Sequence, residues 1–266
     1  MSASDDWQVP GSGVEIYDRV FVPAMMSEWA ARLIALVDLQ PGEHVLDAAC
    51  GSGGLTYPVA DTIKASGRVV GLDLSPEMLT VARARDGSRA VPIEWREGDV
   101  QTLPFENNTF DVAFCAFGLM FFPDRTAALK ELRRVLKAEG RLALTVWGDI
   151  RKCPGQSALK ESWERHFGTE VAAGLARMHV LSDPEMVRSL LHAADFSNVS
   201  VEPAMGVVRH LSPESLVRSY GALVGITTDD RTRSAVIAEV STALQAYVGP
   251  GGLVYPIEAI LACASK

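Results

Sequence analysis

The chain has 266 residues, 48% of them apolar and 22% charged, and a net charge of −8. This composition is typical of a folded globular protein and excludes collagen-like, disordered and repeat architectures. Because nucleic-acid binding depends on clustered Lys and Arg, the acidic balance argues against a DNA or RNA partner.

Targeting and metal signals are both weak. The N-terminal stretch has no basic segment followed by an apolar run, and no stretch reaches the roughly 18 apolar residues of a membrane helix. We therefore expect a cytoplasmic protein without a membrane span. The four cysteines lie far apart, with no C-x-x-C pair or zinc-type histidine spacing, so we expect neither a metal site nor a disulfide framework.

Short strand-like runs alternate with helical patterns from residue 44 to residue 148. Ser75, Pro76 and Glu77 mark a helix start, and a second helical pattern runs from Pro123 to Gly140. This alternation predicts βαβ units and a parallel sheet covered on both faces. The predicted strands are HVLDAA at 44–49, RVVGLDL at 68–74, IEWREGD at 93–99, FDVAFCAFG at 110–118 and RLALTVWG at 141–148.

The pattern changes after Gly148, where helical segments come to dominate and extended stretches return only near residues 198–212 and at the C-terminus. The predicted fold class is α/β, a Rossmann-like, doubly wound, mostly parallel seven-stranded sheet with helical cap insertions. We divide the chain into an N-terminal helical lid at 1–40, a ligand-binding core at 41–150, and a region at 151–266. That last region supplies the remaining strands and a helical cap over the substrate site.

Three carboxylates end the first three predicted strands. Asp47, Asp73 and Asp99 follow one another at intervals of 26 residues. Because parallel strands end at the same edge of a sheet, and ligands bind beyond that edge, we expect the three side chains in one crevice. A single acid there is as readily a capping or solvated residue, whereas three together favour a ligand.

The glycine turn after the first strand separates the possible ligands. Asp73 follows Gly51 by 22 residues, close to the interval of about 20 at which a second-strand acid binds ribose hydroxyls. Thr56 stands at the third glycine position of the dinucleotide fingerprint, and Asp47 lies just upstream, which disfavours a pyrophosphate. An ammonium beside Asp47, a ribose diol at Asp73 and an adenine amine at Asp99 together describe S-adenosylmethionine.

Four segments resemble the class I S-adenosylmethionine-dependent methyltransferases, and more closely the small-molecule branch similar to the ubiquinone and menaquinone biosynthesis enzymes. The resemblance covers roughly residues 44–148. The family turn is usually D-x-G-x-G-x-G, and Ala49 replaces its first glycine; we expect the backbone to tolerate alanine, provided φ is negative there. The segments are VLDAACGSGG, VVGLDLSPEML, GDVQTLPFENNTFDVAFCAFGLMFF and ELRRVLKAEGRLALTVW.

The resemblance implies a set of cofactor-binding residues. Asp47 would hold the methionine ammonium through water, and the turn glycines would let the backbone approach the carboxylate tail. Met78 has a second interpretation as ordinary helix core. The implied residues are Asp47, Ala49, Gly51 and Gly53 at the turn, Asp73, Leu74 and Met78 at the ribose, Asp99, Val100 and Gln101 at the adenine, and Cys115 and Ala116 beside the sulfonium.

Methyl transfer is an in-line displacement at an already activated sulfonium, so a general base is needed only when the acceptor carries a proton. The candidate bases are His166, His179 and His210, which fall in or beside the predicted cap. His44 and His192 fit structural roles better. Tyr17 could close over the site as part of the lid, or pack on the surface.

Residues at the end of the fourth predicted strand limit the chemical classes of methyl acceptor. This strand end lacks the N-P-P-Y motif of methyltransferases that act on planar amines, which disfavours an amine acceptor of that kind. Cys115 is not preceded by proline, which disfavours attack of its thiol on cytosine. Apolar residues there suggest the wall of a hydrophobic pocket; the predicted substrate-binding residues are Tyr17, Phe117, Met120 and Phe122, and Phe121 belongs to the same apolar run.

These features predict methyl transfer to an O, N or C atom of a small, partly apolar metabolite of secondary metabolism. The sequence does not decide between a monomer and a homodimer. The alternatives are a methyltransferase-fold cyclase or a non-methylating S-adenosylmethionine-binding protein. A nicotinamide-dependent oxidoreductase is disfavoured by Thr56 and Asp47.

Overall fold

One eight-stranded β-sheet forms the frame of the chain in a computed structural model, which describes residues 7–64, 66–85 and 91–266. Residues 1–6 of the predicted lid lie outside the described residues. The strands are β1 His44–Ala48, β2 Arg68–Asp73, β3 Ile93–Glu97, β4 Phe110–Ala116, β5 Leu136–Trp147, β6 Ser197–His210, β7 Val248–Gly249 and β8 Gly252–Ser265.

The strand order is β3-β2-β1-β4-β5-β8-β6, with β7 paired to β8. Strands β1 to β5 pair in parallel, and β8 runs antiparallel to β5. The chain therefore moves outward from β1 to β3 and returns to the other side of β1 at β4, which creates the reversal point where such sheets bind ligands. The predicted mostly parallel, Rossmann-like fold is confirmed, with the two-residue β7 as an eighth strand.

Several helices begin where the sequence offers a capping side chain. The Ser75 hydroxyl accepts from the Met78 backbone N–H at 3.2 Å, and Asp124 accepts from Ala127 N–H at 2.9 Å. A π-helical stretch covers Tyr17–Met26. The α-helices are α1 Gly13–Ile16, α2 Ser27–Leu36, α3 Thr56–Ile63, α4 Pro76–Arg85, α5 Arg125–Val135, α6 Pro154–Phe167, α7 Thr169–Arg177, α8 Pro184–Ala193, α9 Pro213–Leu223 and α10 Asp230–Ala243.

The helix predicted to reach Gly140 ends instead at Val135, and β5 begins at Leu136. Its last turn is closed by a neighbouring loop, because the Thr109 N–H donates to the Val135 carbonyl at 2.8 Å. Leu136 then pairs with Phe110 of β4. Strand pairing thus overrides the helical pattern of the last five residues.

The contacts divide the chain into two units. The glycine turn and the three acids belong to what we call the sheet unit, whereas Tyr17 and the three candidate histidines belong to the helical unit. The predicted roles of 1–40 as a lid and of 151–266 as a cap stay predictions. The sheet unit comprises the described residues within Met26–Trp147, Leu181–Ala204 and Ala259–Lys266, and the helical unit comprises those within Met1–Met25, Gly148–Val180 and Met205–Glu258.

The core of the sheet unit is built from the apolar residues of the inner strands and the helices packed on them. Val45, Val69 and Val112 are fully buried on neighbouring strands, and Leu33 and Ile63 cover them from α2 and α3. Burial on both faces explains why these strands read as continuous apolar runs. Among the helices in the described ranges, none combines the length and apolar content needed to cross a membrane.

The turn after β1 adopts left-handed backbone conformations at three positions. The φ angles are +57° at Ala49, +54° at Gly51 and +86° at Gly53. The condition for an unstrained alanine, a negative φ at Ala49, is therefore not met: this alanine occupies a conformation that favours glycine. Its Cβ is accommodated by Gly118, where an added Cβ would lie 2.8 Å from the Ala49 Cβ.

We predict that Ala49→Gly raises the free energy of unfolding by about 0.5–1 kcal/mol, because glycine adopts the positive φ without strain. The matched control is Ala48→Gly at the buried end of β1, which should lose about 1 kcal/mol or more. Urea unfolding of the two variants measures both effects. Equal destabilisation by the two substitutions would show that Ala49 is unstrained.

Candidate active site

The three predicted acids lie at one edge of the sheet. Strands β1 and β2 are in parallel register, with Asp47 opposite Gly71, and β2 and β3 place Asp73 opposite Glu97. The Gly98 N–H donates to the Asp73 backbone carbonyl at 3.0 Å, which ties the end of β3, one residue before Asp99, to the end of β2. The three acids therefore stand at or near the ends of neighbouring strands on one edge of the sheet, and their sharing of one ligand stays a prediction.

Asp73 is fixed by backbone donors on both sides of its carboxylate. Oδ2 accepts from the Gly51 N–H at 2.7 Å, and Oδ1 accepts from the Ser75 N–H at 2.9 Å. Each carboxylate oxygen has two acceptor sites, so one site on each oxygen remains for a ligand hydroxyl. The glycine turn thus holds the second-strand acid in a fixed orientation suited to a vicinal diol.

Asp47 is the most unusual residue of the edge. Its side chain is 1% exposed, and Oδ2 accepts from the Thr56 hydroxyl at 2.6 Å. Within the described part of the chain, Oδ1 is buried without a hydrogen-bond partner. Burial, aided by the nearby Asp73 charge, raises the pKa of Asp47 to about 7, against the lowering effect of the Thr56 hydrogen bond. A cationic group placed beside Oδ1 would pair both the charge and the free oxygen.

Asp99 is engaged in local structure. It caps a 3₁₀ turn at Val100–Thr102, and its Oδ1 accepts from the Gln101 N–H at 2.9 Å. The Gln101 amide donates to both Asp99 oxygens, at 3.2 and 3.1 Å, and its Oε1 accepts from the Asp124 N–H at 2.9 Å. The carboxylate therefore keeps acceptor capacity mainly at Oδ2, and it holds the segment next to the start of α5.

The apolar residues predicted at this edge differ in exposure. Leu74 is 69% exposed directly after Asp73, whereas Val100 is buried and Met78 half-buried. An exposed leucine beside an acid offers an apolar surface to a flat ring. Cys115 is fully buried, and burial raises its pKa to about 12, so its thiol stays protonated and is no nucleophile. Ala116 ends β4, half-buried.

An aromatic cluster that the sequence analysis missed lies at the ends of β4 and β5. The Phe117 ring stacks on Trp147 with centroids 3.8 Å apart and an interplanar angle of 20°. Trp29 packs edge-on against Phe117 at 6.2 Å. Trp147 could have been found from the sequence, since it stands next to last in the fifth predicted strand; Trp29, far upstream on α2, could not.

The apolar residues predicted to line the substrate pocket are therefore partly buried in the core. Phe117 and Met120 are 7% and 4% exposed, Phe122 is half-buried, and Phe121 is 60% exposed. Packing fixes Phe117 and Met120 in place, and Phe121 presents the largest free apolar surface of the group. The role of these residues in substrate binding stays a prediction.

The candidate bases each have a defined environment within the helical unit. His166 Nε2 lies 2.9 Å from Glu239 Oε1, and His179 Nδ1 lies 2.7 Å from the Gly148 carbonyl oxygen. Burial lowers the pKa of His179, and it lowers that of His210, which packs edge-on against Phe21, to about 4. An imidazole with so low a pKa is a weak base, so His210 is the poorest of the three candidates.

Tyr17 begins the π-helical stretch of the helical unit and is half-buried. Its predicted part in a lid stays a prediction, as do the catalytic roles of the three histidines.

Comparison with known proteins identifies the family. A family model described as a methyltransferase domain matches residues 46–144. A 2-phytyl-1,4-naphtoquinone methyltransferase of Synechococcus elongatus is 39% identical over 167 residues, which are 62% of this chain and 70% of the relative. A demethylmenaquinone methyltransferase of Lactiplantibacillus plantarum is 36% identical over 141 residues, 52% of this chain and 58% of the relative.

Solved structures agree with the fold. The YcgJ protein of Bacillus subtilis superposes with a TM-score of 0.61 at 17% identity, covering 90% of this chain and 98% of that one. The [4+2]-cyclase SpnF superposes with a TM-score of 0.52 at 21% identity, covering 90% of this chain and 81% of that one. At these identities the likeness concerns the fold alone.

The matched segment runs from the glycine turn to β5, and the cyanobacterial relative extends the match across most of its own length. This chain therefore belongs to the class I S-adenosylmethionine-dependent methyltransferases, and it is an enzyme similar to those of quinone biosynthesis.

Proposed function

We propose that the edge formed by Asp47, Asp73 and Asp99 binds S-adenosylmethionine, and that the enzyme methylates a small, apolar, quinone-like metabolite. The observation that carries the cofactor assignment is Asp47, a buried carboxyl with one oxygen that lacks a partner among the described residues. The acceptor class is supported by the relatives named 2-phytyl-1,4-naphtoquinone methyltransferase and demethylmenaquinone methyltransferase.

The residues at the edge match the parts of the cofactor. Asp47 faces the ammonium of the methionine tail, directly or through a water molecule, and the glycine turn allows backbone N–H groups to approach the carboxylate. Asp73 accepts from the ribose hydroxyls with the acceptor sites that Gly51 and Ser75 leave open. Leu74 and the Asp99 to Gln101 segment border the adenine.

When bound, S-adenosylmethionine supplies a methyl group on a positively charged sulfur, an already activated leaving group. The protein contributes binding, alignment and the exclusion of water. Cys115 takes no chemical part, because its thiol is buried and protonated. We propose that a proton lost by the acceptor passes to solvent or to a nearby base, as the acidity of the acceptor allows. The enzyme acts in the cytoplasm, in secondary metabolism.

The proposed reaction is tested with the reduced form of 2-phytyl-1,4-naphthoquinone and S-adenosylmethionine. A ring C–H bond is replaced by C–CH₃, the S–CH₃ bond breaks with its electron pair kept by sulfur, and one proton is released. We expect equal amounts of methylated quinol and S-adenosylhomocysteine by mass spectrometry. If no ring methylation occurs while the cofactor still binds, the acceptor assignment is wrong. Product without S-adenosylhomocysteine would indicate a non-methylating reaction.

Asp73→Ala should weaken S-adenosylmethionine binding by about 1.5–3 kcal/mol, the scale of charge-assisted hydrogen bonds. Titration calorimetry gives the dissociation constant, and thermal unfolding shows whether the turn anchored on Asp73 still folds. Glu139→Ala is the control, since Glu139 is an exposed acid on β5 of the same unit. Asp73→Asn, which keeps one acceptor oxygen, should fall between the wild type and Asp73→Ala. An unchanged constant in Asp73→Ala would exclude the ribose assignment.

Cofactor affinity should rise with pH up to about pH 7. Asp47 has its pKa raised to about 7, so below that pH its carboxyl is protonated and must release the proton to pair with an ammonium. The limiting slope is about tenfold in affinity per pH unit. Calorimetry at pH 5.5 and 6.5, in two buffers of different ionisation enthalpy, counts the released proton.

The control for this pH dependence is Asp47→Asn, which cannot ionise and can still accept from Thr56. It should bind more weakly and release no proton. The same proton count in the variant and the wild type would show that another group is titrating and that Asp47 does not meet the ammonium.

A further inference from the structure

Trp95, at the centre of β3, reaches across β2 to the glycine turn that follows β1. It is paired with Gly71 of β2, and a Cβ added at Gly71 would lie 2.7 Å from both Cε3 and Cζ3 of the indole ring. A Cβ added at Gly53, in the turn, would lie 2.8 Å from Cη2 of the same ring. Contacts this short are too close for a real Cβ atom. The half-buried ring therefore occupies the space that side chains at both glycines would need.

Tyr57, on α3, is a second aromatic residue against the turn. Its ring packs edge-on against Trp95, with centroids 5.6 Å apart and an interplanar angle of 66°. Tyr57 is 4% exposed, and its hydroxyl donates to the backbone carbonyl of Ala82 on α4. A Cβ added at Gly53 would lie 2.9 Å from Cε2 of Tyr57. Two aromatic rings, each held by its own element, thus lie against one glycine of the turn.

The backbone of Gly53 is fixed on both sides. Its N–H donates to the Cys50 carbonyl at 3.0 Å, and its carbonyl accepts from the Tyr57 N–H at 3.1 Å. Its φ of +86° is a conformation that glycine adopts without strain. With these bonds in place, the indole ring fills the space into which the turn could otherwise relax. Removing a large ring from a closely packed region opens a space that the surrounding structure fills only in part.

We propose that Trp95 is a positioning residue, which holds the glycine turn in the shape that binds the methionine part of S-adenosylmethionine. This role rests on the cofactor site proposed above, in which backbone N–H groups of the turn approach the methionine carboxylate. The indole acts through Gly53 and does not touch the reacting atoms. Binding groups work when they are held to within about 0.5 Å of the productive geometry. Affinity for the methionine part should therefore depend on Trp95, and affinity for the adenosine part much less.

The test compares S-adenosylmethionine with 5′-methylthioadenosine, which keeps the adenosine part and lacks the ammonium and the carboxylate. Titration calorimetry on the full chain gives both dissociation constants, and their ratio measures what the methionine part adds. Trp95→Leu should reduce this ratio by about three- to tenfold, part of the effect of a charge-assisted hydrogen bond. The affinity for 5′-methylthioadenosine should change far less.

Ile93→Ala is the matched control. Ile93 lies two residues before Trp95, on the same face of β3, and is 7% exposed in the core of the sheet unit. Its truncation removes apolar volume from the same strand and leaves in place the ring that lies against the turn. We expect a lower unfolding temperature and an unchanged ratio of the two affinities. Thermal unfolding also shows that each variant is folded.

Gly71→Ala tests the path of the ring across β2. In the wild type the new methyl group would collide with Cε3 and Cζ3 of Trp95, so the ring must move and the ratio should fall. In the Trp95→Leu background those ring atoms are absent, and Gly71→Ala should cause no further fall. Such a dependence of one substitution on the other is the mark of two residues that act through one contact.

The outcomes separate this role from the cofactor site itself. If the wild type does not bind S-adenosylmethionine, the cofactor site is wrong, and the role of Trp95 with it. If the wild type binds it and Trp95→Leu keeps the wild-type ratio, or lowers it no more than Ile93→Ala does, only the role of Trp95 is overturned. Equal effects of Gly71→Ala in both backgrounds would also overturn that role.

Discussion

The site depends on a carboxyl group buried beside a glycine turn. Asp47 is almost inaccessible, has one oxygen held by Thr56, and has its other oxygen unpaired among the described residues. Burying such a group without a full set of partners is unfavourable. The group lies at the point where the strand order reverses, which is where sheets of this kind bind ligands. Thr56 occupies the position at which a dinucleotide-binding turn has its third glycine. The residue that breaks the dinucleotide pattern is thus the one that hydrogen-bonds the acid.

The rest of the edge is arranged around that turn. The Gly51 N–H donates to Asp73, so the residue that lets the backbone turn also orients the second acid. Ala49 keeps its left-handed conformation because Gly118, at the end of the fourth strand, leaves room for its methyl group. Contacts between three neighbouring strands therefore set the geometry, and a substitution in any one of them acts on the others.

Local sequence patterns were sufficient to predict the strands β1 to β4, the helix starting after Ser75 and the common edge of the three acids. These features follow from apolar runs, capping residues and the parallel arrangement, which are visible over short stretches. The positive φ of Ala49 was not predicted, because alanine rarely adopts it, and the room for its methyl group comes from Gly118, which lies far along the chain. The early end of α5 is likewise decided by the pairing of Leu136 with Phe110.

The side-chain partners were harder still to predict. Gln101 was expected only as a neighbour of adenine, yet it bridges Asp99 and the start of α5. His166 is paired with Glu239, a residue of another helix, and Trp29, from the N-terminal part of the sheet unit, packs against Phe117, which stacks on Trp147. Such contacts join residues distant in sequence, and no short motif encodes them.

The proposed cofactor site requires that Asp47 is a carboxyl of raised pKa that loses its proton when a cation binds beside it. A ¹³C NMR titration of the Asp47 side chain, assigned with Asp47→Asn, tests this directly. We expect a pKa of about 7 for Asp47 in the free protein, a marked lowering by S-adenosylmethionine, and little change with 5′-methylthioadenosine, which lacks the ammonium. A pKa near 4 in the free protein, or an equal response to both compounds, would contradict it.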